Sequence, residues 1–159
     1  MARIGAERLL EDLSLHILDI VENSIRAAAK TIIIELIEDT KNDVLILEID
    51  DDGHGMTGEQ LEKAFNPFYS TKKVRRIGLG IPLLKQAARE SNGDIDIHSE
   101  PGRGTHLEAT FQHSHIDRKP IGDMLATLQT LIISHPSITF TYIHTVDGEQ
   151  IINFKTEPE

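Results

Sequence analysis

The sequence predicts an α+β protein, a two-layer α/β sandwich in which helices cover one face of a mixed, mostly antiparallel sheet. Two observations support this prediction. Amphipathic helical segments alternate with pairs of segments that are rich in β-branched residues. The two segments of each pair are joined by a short turn, so neighbouring strands should run antiparallel. The predicted order is α-β-β, a loop, α-β-β, and then a final α-β-β.

Each element follows from its local periodicity. The first helix is predicted over Arg8–Ala29, because apolar residues recur there at intervals of three and four. Asp147-Gly148 is a strong hairpin signal between the last two strands. The other predicted elements are strands at 31–38 and 43–50, helices at 58–65 and 81–91, strands at 94–100 and 105–112, a helix at 124–133, and strands at 137–146 and 149–156.

The chain length fits a single domain. Its 159 residues suffice for one hydrophobic core. We expect a core at 1–112 and a C-terminal α-β-β extension at 113–159 that packs on it. The extension is expected to cover a sheet edge, because open sheets commonly have their edges covered. The alternative is that the extension forms a homodimer contact.

Composition excludes several classes of function. The formal net charge is −10, which disfavours broad contact with nucleic acid or an anionic membrane. The chain has no cysteine, so disulfides, thiolate metal sites and cysteine nucleophiles are excluded. It has no apolar run of about 18 residues, and charges interrupt its first residues, so we expect no membrane insertion and no signal peptide. A cytoplasmic location is expected.

The segment DDGHG, residues 51–55, allows two interpretations from its residues alone. Asp-Gly pairs commonly form turns. A calcium loop is the alternative, because EF-hand positions 1, 3, 5, 6 and 12 are matched by Glu48, Asp50, Asp52, Gly53 and Glu59. However, an EF-hand needs a helix before the loop, and a strand is predicted there.

Two glycine-rich segments come next. Gly78 and Gly80 open a predicted helix, where glycines let the backbone approach a phosphate and the helix N-terminus supplies free N–H groups. The segment matches neither a Walker loop nor a Rossmann fingerprint, because the Gly-Lys-Ser/Thr of the first and the third glycine of the second are missing. On its own, PGRGTH at 101–106 is typical of an ordinary turn.

Taken together and in this order, the segments resemble the motifs of the GHKL ATPase superfamily, which includes gyrase B, the ninety-kilodalton heat-shock chaperone, histidine kinases and MutL. The matching segments are ENSIRAA (22–28) for the N box, DDGHG for the D-x-G-x-G box, NPFYSTK (66–72) for the histidine-kinase F box, and GLGI (78–81) and GRGT (102–105) for two further glycine boxes. The resemblance implies the Bergerat fold, with ATP held between helices and a lid loop. Within the superfamily, the chain is most similar to the histidine kinase and anti-sigma-factor kinase branch.

The resemblance implies roles for the matching residues. Asn23 would bind Mg²⁺ through its amide oxygen, a ligand type that this hard cation prefers, and the metal would bridge the phosphates of ATP. Asp51 would accept a hydrogen bond from the adenine amino group, and Thr105 would help to hold the base through its hydroxyl. The other residues that the resemblance implies for ATP binding are Ala27, Gly53, Gly55, Met56, Phe65, Lys72, Arg76, Gly78, Leu79 and Gly80.

The chain departs from the family pattern at two positions. Arg76 stands where the second glycine box usually begins with a further glycine. Asp19 stands four residues before Asn23, where the hydrolysing branch has Glu and histidine kinases usually have Asn. Asp19 is therefore the expected catalytic group, able to act as a general base or to position a hydroxyl. Its side chain reaches about 1.5 Å less far than that of Glu, so we expect the protein to bind ATP rather than to turn it over rapidly.

Three functions are compatible with this resemblance. The first is a regulatory kinase that phosphorylates a separate partner protein, since no phosphoacceptor hairpin precedes the N box. The second is a slow ATPase switch, and the third is a non-catalytic nucleotide sensor or interaction module. A DNA-linked role would need an appended transducer domain, so no nucleic-acid partner is expected.

Overall fold

The structure is a computed structural model that describes residues 12–66, 68 and 80–159. It has helices and strands in the order expected from the sequence. The helices are α1 (Leu13–Arg26), α2 (Gly58–Ala64), α3 (Gly80–Glu90) and α4 (Met124–Ser134). The strands are β1 (Thr31–Asp39), β2 (Val44–Asp51), β3 (Ile95–Glu100), β4 (Gly104–Gln112), β5 (Thr139–Val146) and β6 (Glu149–Lys155).

The strands form one six-stranded sheet in the order β3-β4-β2-β1-β5-β6. Each neighbouring pair is antiparallel except β1 and β5, which run parallel. A parallel pair needs a long crossover, and the segment from β4 through α4 supplies part of it. The predicted α+β class and the mixed, mostly antiparallel sheet are therefore confirmed.

The core lies between the sheet and the helices. Side chains alternate along each strand, so β1 turns Ile32, Ile34 and Leu36 to one face, where all three are fully buried. Register places Ile34 opposite Ile49 of β2, and the same face continues across the sheet. Helices α1 and α3 pack against each other, α3 contacts β3 and β4, and α1 contacts α4. Burying one such side chain contributes about 1.5–3 kcal/mol, so this apolar face is the main source of stability.

Helix α1 ends three residues earlier than the predicted Ala29. Ala28 adopts a left-handed conformation with φ 61°, which stops the helix. The Ala29 N–H donates to the Ser24 carbonyl at 3.1 Å, as at a helix C-terminus closed by a left-handed residue. The Ala27 carbonyl is then free to accept from the His54 N–H at 2.8 Å. The predicted start at Arg8 lies outside the described residues.

The C-terminal segment is bonded into the rest of the fold. Strand β5 pairs with β1 along its whole length. The first N–H groups of α1, at Leu13 and Ser14, donate to the Pro120 and Ile121 carbonyls, each at 2.9 Å. Helix N-termini leave such donors unpaired, so the tail satisfies groups that α1 cannot satisfy itself.

The predicted turn between β5 and β6 is present. Asp147 and Gly148 have φ values of 48° and 85°, as a two-residue hairpin of this type requires. The Asp147 side chain also accepts from the Thr40 N–H at 2.7 Å and from the Thr40 hydroxyl at 2.8 Å. This turn is thereby tied to the turn between β1 and β2. Within the described residues, no helix combines the length and the apolar character that crossing a membrane would need.

Candidate functional site

A cavity of about 520 Å³ lies beside α1, at the end of the sheet where β2 stops and β4 begins. This volume is in the range of small-molecule sites, about 300–1,000 Å³. Its apolar walls are formed by Ile20, Ala27, Ile49, Met56, Ala64, Ile81, Ile97 and Leu107. Its polar residues include Asn23, Ser24, Arg26, Asp51, Gln60, Lys63 and Thr105. The arrangement suits a flat apolar group with a few polar atoms at its edges.

Asp51 is the last residue of β2, and its carboxylate is held from two sides. The Ser24 hydroxyl donates to Oδ2 at 2.7 Å, and the Gly53 N–H donates to Oδ1 at 2.9 Å. Ser24 is buried on α1, one position after Asn23. The two bonds fix the carboxylate at the cavity wall, where each oxygen keeps a lone pair that could accept from a ligand. Ser24 is not among the residues predicted from the sequence. Its only signal was its place in the helical segment that resembles the N box.

Thr105 is the direct partner of Asp51 across β2 and β4, and it is held by Ser99. Thr105 and Ser99 are directly paired across β3 and β4, with their hydroxyl oxygens 2.8 Å apart. The Ser99 hydroxyl also accepts from the Met56 N–H at 2.8 Å and donates to the Gly104 carbonyl at 3.1 Å. One serine thus links the loop after β2 to the beginning of β4. Ser99 was not identified from the sequence, because it lies in an ordinary alternating strand.

Two glycines at this site are required both by a left-handed φ and by close backbone packing. Gly55 has φ 68°, and a Cβ there would overlap the Glu100 carbonyl. Gly104 has φ 86°, and a Cβ there would overlap the Asp51 carbonyl. At Gly53 a Cβ would lie 2.7 Å from the Ala27 carbonyl oxygen. The family resemblance implies that Gly53 and Gly55 take part in ATP binding. The structure adds a second reason, since these loops also pack backbone against backbone.

Asn23 lines the cavity from α1, one helical turn before Ala27. Its side-chain oxygen lies 3.4 Å from Nη1 of Arg26, and Nη2 of Arg26 lies 4.0 Å from Glu22. Arg26 thus pairs with Glu22 at i,i+4 spacing, and it also lines the cavity. Its guanidinium and the Lys63 ammonium provide positive charge at the cavity wall. The amide oxygen of Asn23 therefore already faces a cation.

Four other predicted residues within the described part of the chain are not among those that line the cavity: Asp19, Gly53, Phe65 and Gly80. Asp19 is half-buried on α1, where a Cβ added at Gly80 would lie 3.2 Å from the Cβ of Asp19. Asp19 thus lies at the contact between α1 and the start of α3. Phe65 follows α2, and the Lys85 ammonium lies 4.9 Å from the centroid of its ring. The predicted residues Lys72, Arg76, Gly78 and Leu79 lie outside the described residues.

The neighbouring carboxylate of Asp52 has a structural role. It accepts from the backbone N–H groups of Lys30 at 2.7 Å and Thr31 at 2.9 Å. Burial alone would raise the pKa of Asp52, but these donors hold it below its ordinary value. The calcium-loop alternative is wrong, because Glu48 and Asp50 belong to strand β2, and no helix precedes the loop.

Comparison with known proteins assigns the family. A model of the histidine kinase-, DNA gyrase B- and HSP90-like ATPase family matches residues 10–115, more than half of the chain. The chain belongs to this family. It is 32% identical over 88 residues to sporulation kinase C of Bacillus subtilis (strain 168), covering 55% of this chain and 20% of that protein. It is 31% identical over 97 residues to the sensor histidine kinase YxdK of the same organism, covering 58% of this chain and 30% of that protein.

Solved structures support the fold. The N-terminal domain of a DNA repair protein superimposes with a TM-score of 0.69 at 16% identity, covering 98% of this chain and 56% of that chain. The Aquifex aeolicus MutL ATPase domain complexed with ADP gives a TM-score of 0.55 at 17% identity, covering 92% of this chain and 65% of that chain. The family match confirms the predicted GHKL membership, and these superpositions confirm the Bergerat fold. At these identities the structural likeness concerns the fold alone.

Proposed function

We propose that this member of the family binds Mg-ATP in the cavity beside α1 and acts as a regulatory kinase on a separate protein. The observation that carries the proposal is the fixed Asp51 carboxylate at the wall of a cavity whose walls are mostly apolar. Ser24 and Gly53 donate to it at 2.7 and 2.9 Å, so its orientation is set before any ligand arrives. A carboxylate in this position suits the exocyclic amino group of adenine, which is a hydrogen-bond donor.

The apolar walls suit the rings of the base. Ile49 and Leu107 approach from the sheet, and Ile20 and Ile81 from the helices. Thr105 supplies a hydroxyl on the same side as Asp51, since the two residues are directly paired across β2 and β4. Together these residues explain why a planar group with polar edges should be preferred over a sugar or a peptide.

The phosphates and Mg²⁺ should lie toward Asn23. Its amide oxygen is the kind of ligand that Mg²⁺ accepts, and the bound metal would neutralise phosphate charge. The residues present fit this role, because Asn23 lines the cavity and its oxygen already faces the Arg26 guanidinium. Arg26 and Lys63 are suited to pair with phosphate oxygens as Mg²⁺ takes its place beside Asn23.

A kinase is favoured over the alternatives by the family branch. The relatives named above are kinases, and the F-box and GLGI segments match that branch. The chain spans only 20% and 30% of the length of those relatives. The existence of a separate substrate protein is therefore part of this proposal. Asp19 is proposed as the group that positions or deprotonates the phosphoacceptor. A slow ATPase switch is the second candidate, because Asp can also activate water.

The first experiment is a titration of Mg-ATP into the wild-type protein and Asp51→Asn by calorimetry, with phosphate release followed in the same samples. Asn keeps the shape of Asp but changes one acceptor oxygen into a donor, so it should repel the adenine amino group. We expect affinity to fall at least tenfold. Asp96→Asn is the matched control, because Asp96 is an exposed strand carboxylate away from the cavity, and its affinity should be unchanged.

The outcomes separate the candidates. If the wild-type protein releases phosphate and Asp19→Asn does not, the ATPase switch is supported. Binding without release would support a kinase, and ATP-dependent labelling of a captured partner would then identify its substrate. If the wild-type protein shows no binding at millimolar Mg-ATP, or Asp51→Asn binds as well as Asp96→Asn, the proposed site is wrong.

A further inference from the structure

The sheet face opposite the helices carries a row of carboxylates in direct register. Glu35, Glu48, Glu108 and Asp96 stand side by side on β1, β2, β4 and β3, and this set is called the carboxylate row. Like charges directly opposite each other destabilise a sheet. None of the described residues paired directly with the row across the sheet is a Lys or Arg, and the row's outer member, Asp96, lies 3.0 Å from Nε2 of His98.

A histidine lies beside the centre of this row. His106 is two residues before Glu108 on β4, so both side chains point to the same face. Ligand atoms of Glu48, His106 and Glu108 all lie within 4.8 Å of one another, and the three residues are half-buried. The group therefore combines two oxygen donors with one nitrogen donor, which a purely acidic patch does not.

The orientation of His106 is fixed by a further carboxylate. Asp50 is its direct partner across β2 and β4, and its Oδ1 lies 2.5 Å from Nδ1 of His106. Metal-binding histidines commonly donate one ring N–H to a carboxylate while the other nitrogen binds the metal. With the proton on Nδ1, the Nε2 atom of His106 keeps its lone pair.

We propose that Glu48, His106 and Glu108 form a binding site for one divalent transition-metal ion, with Asp50 as a positioning residue for His106. The site lies on the opposite side of β2 and β4 from the nucleotide cavity and uses none of its residues. A tetrahedral ion with bonds of about 2.0–2.1 Å brings its ligand atoms to about 3.4 Å from one another. The donor atoms of this site lie within 4.8 Å of one another, so a bound ion would need to draw them closer by at most about 1.4 Å.

The donor set selects the kind of metal. Carboxylates alone suit Mg²⁺ and Ca²⁺, whereas imidazole suits Zn²⁺ and related ions. One imidazole with two carboxylates should therefore prefer Zn²⁺ or Co²⁺ to Mg²⁺. Three protein ligands also leave a coordination position open for water or a further ligand.

The test is calorimetric titration of Zn²⁺ and of Mg²⁺, in the absence of nucleotide, into the full chain and three variants. Wild type should bind one Zn²⁺ at least a hundredfold more tightly than Mg²⁺. His106→Gln and Glu108→Gln should each weaken Zn²⁺ binding at least tenfold. Glu35→Gln is the matched control, because it removes one charge from the same row without removing a ligand, and it should weaken binding less than threefold.

Thermal unfolding gives a second readout with the opposite sign. Glu108→Gln relieves repulsion in the row, so without metal its Tm should be above that of wild type. Added Zn²⁺ should raise the Tm of wild type by more than that of Glu108→Gln. Either of two results would overturn the site: no saturable one-to-one Zn²⁺ binding, or equal losses in Glu35→Gln and His106→Gln.

Discussion

At the scale of single residues, the end of α1 carries an unfavourable backbone conformation. Ala28 has φ 61°, in the region where a Cβ crowds the following carbonyl oxygen. Glycine adopts this conformation without that cost and is the usual residue at this position after a helix. The strain is maintained because Ala27 and Ala29 make hydrogen bonds to His54 and Ser24 that need this turn.

Ala28→Gly should therefore stabilise the protein. We expect a gain of about 0.5–1 kcal/mol in the free energy of unfolding, with part of the relieved strain offset by the greater freedom of glycine in the unfolded chain. Urea denaturation at neutral pH measures it. Ala126→Gly is the control, because Ala126 lies inside helix α4, where glycine should cost about 1 kcal/mol. A loss of stability in Ala28→Gly would show that strain is not stored there.

At the residue scale, the motifs identify side chains that the fold brings to one cavity, but they do not identify the side chains that support them. Asn23, Ala27, Asp51, Gly55, Met56 and Thr105 all line the cavity, and their roles in ATP binding stay predictions. Ser24 and Ser99 were missed because a serine in a helix or strand has no distinctive pattern. Their roles depend on partners 27 and 43 residues away, Asp51 and Met56, which only the folded chain brings close.

At the scale of elements, a half-buried carboxylate joins β1 to β5 and to the residue after the end of β4. Glu38 of β1 accepts from Nε2 of His113 at 2.9 Å and from Nε2 of His144 at 2.6 Å. Its side chain is 17% exposed. Burial alone would raise the pKa of Glu38, but the hydrogen bonds from His113 and His144 hold it below its ordinary value.

This pKa shift predicts a pH-dependent contribution to stability. A carboxyl with a lowered folded pKa stabilises the protein above its unfolded pKa of about 4.3, and that contribution is lost as pH falls through the folded pKa. Glu38→Gln should therefore lower the free energy of unfolding by about 1–3 kcal/mol at pH 7, and the difference from wild type should shrink below about pH 4. Urea denaturation at a series of pH values measures this.

Glu35→Gln is the control for that series. Glu35 is three residues earlier on the same strand, but it is a member of the carboxylate row. Its neutralisation should therefore not reduce stability at pH 7. If Glu38→Gln lost the same free energy at every pH, the ionised form of Glu38 would not be the source of the stability.

The pairing of elements was only partly predictable. Hairpins β1–β2, β3–β4 and β5–β6 follow from short turns, because a turn joins strands that are adjacent in sequence. The position of the last hairpin did not follow, since β5 pairs in parallel with β1, more than a hundred residues earlier. No local pattern specifies such a partner. It depends on which sheet edge the other elements leave open.

At the scale of the whole molecule, we propose that residues 1–112 and 113–159 unfold as one cooperative unit. Strand β5 extends the sheet, and Phe140 and Tyr142 are almost fully buried in the common core. The tail also satisfies the first N–H groups of α1, the helix that carries Asn23 and Ser24. Nucleotide binding at α1 should therefore depend on the tail, although no tail residue is among those that line the cavity.

Phe140→Ala in the full chain tests this coupling. Removal of a fully buried aromatic ring should lower the free energy of unfolding by about 3–5 kcal/mol. Unfolding in urea should remain a single transition with the same m value as wild type. Hydrogen exchange should then accelerate together in β5 and in β2, because both would open only through global unfolding. Ile151→Ala, at a position that is 54% exposed, should change stability by less than about 0.5 kcal/mol. Faster exchange confined to β5 and β6, or a second urea transition, would instead mean that the extension opens by itself and that α1 keeps its structure without it.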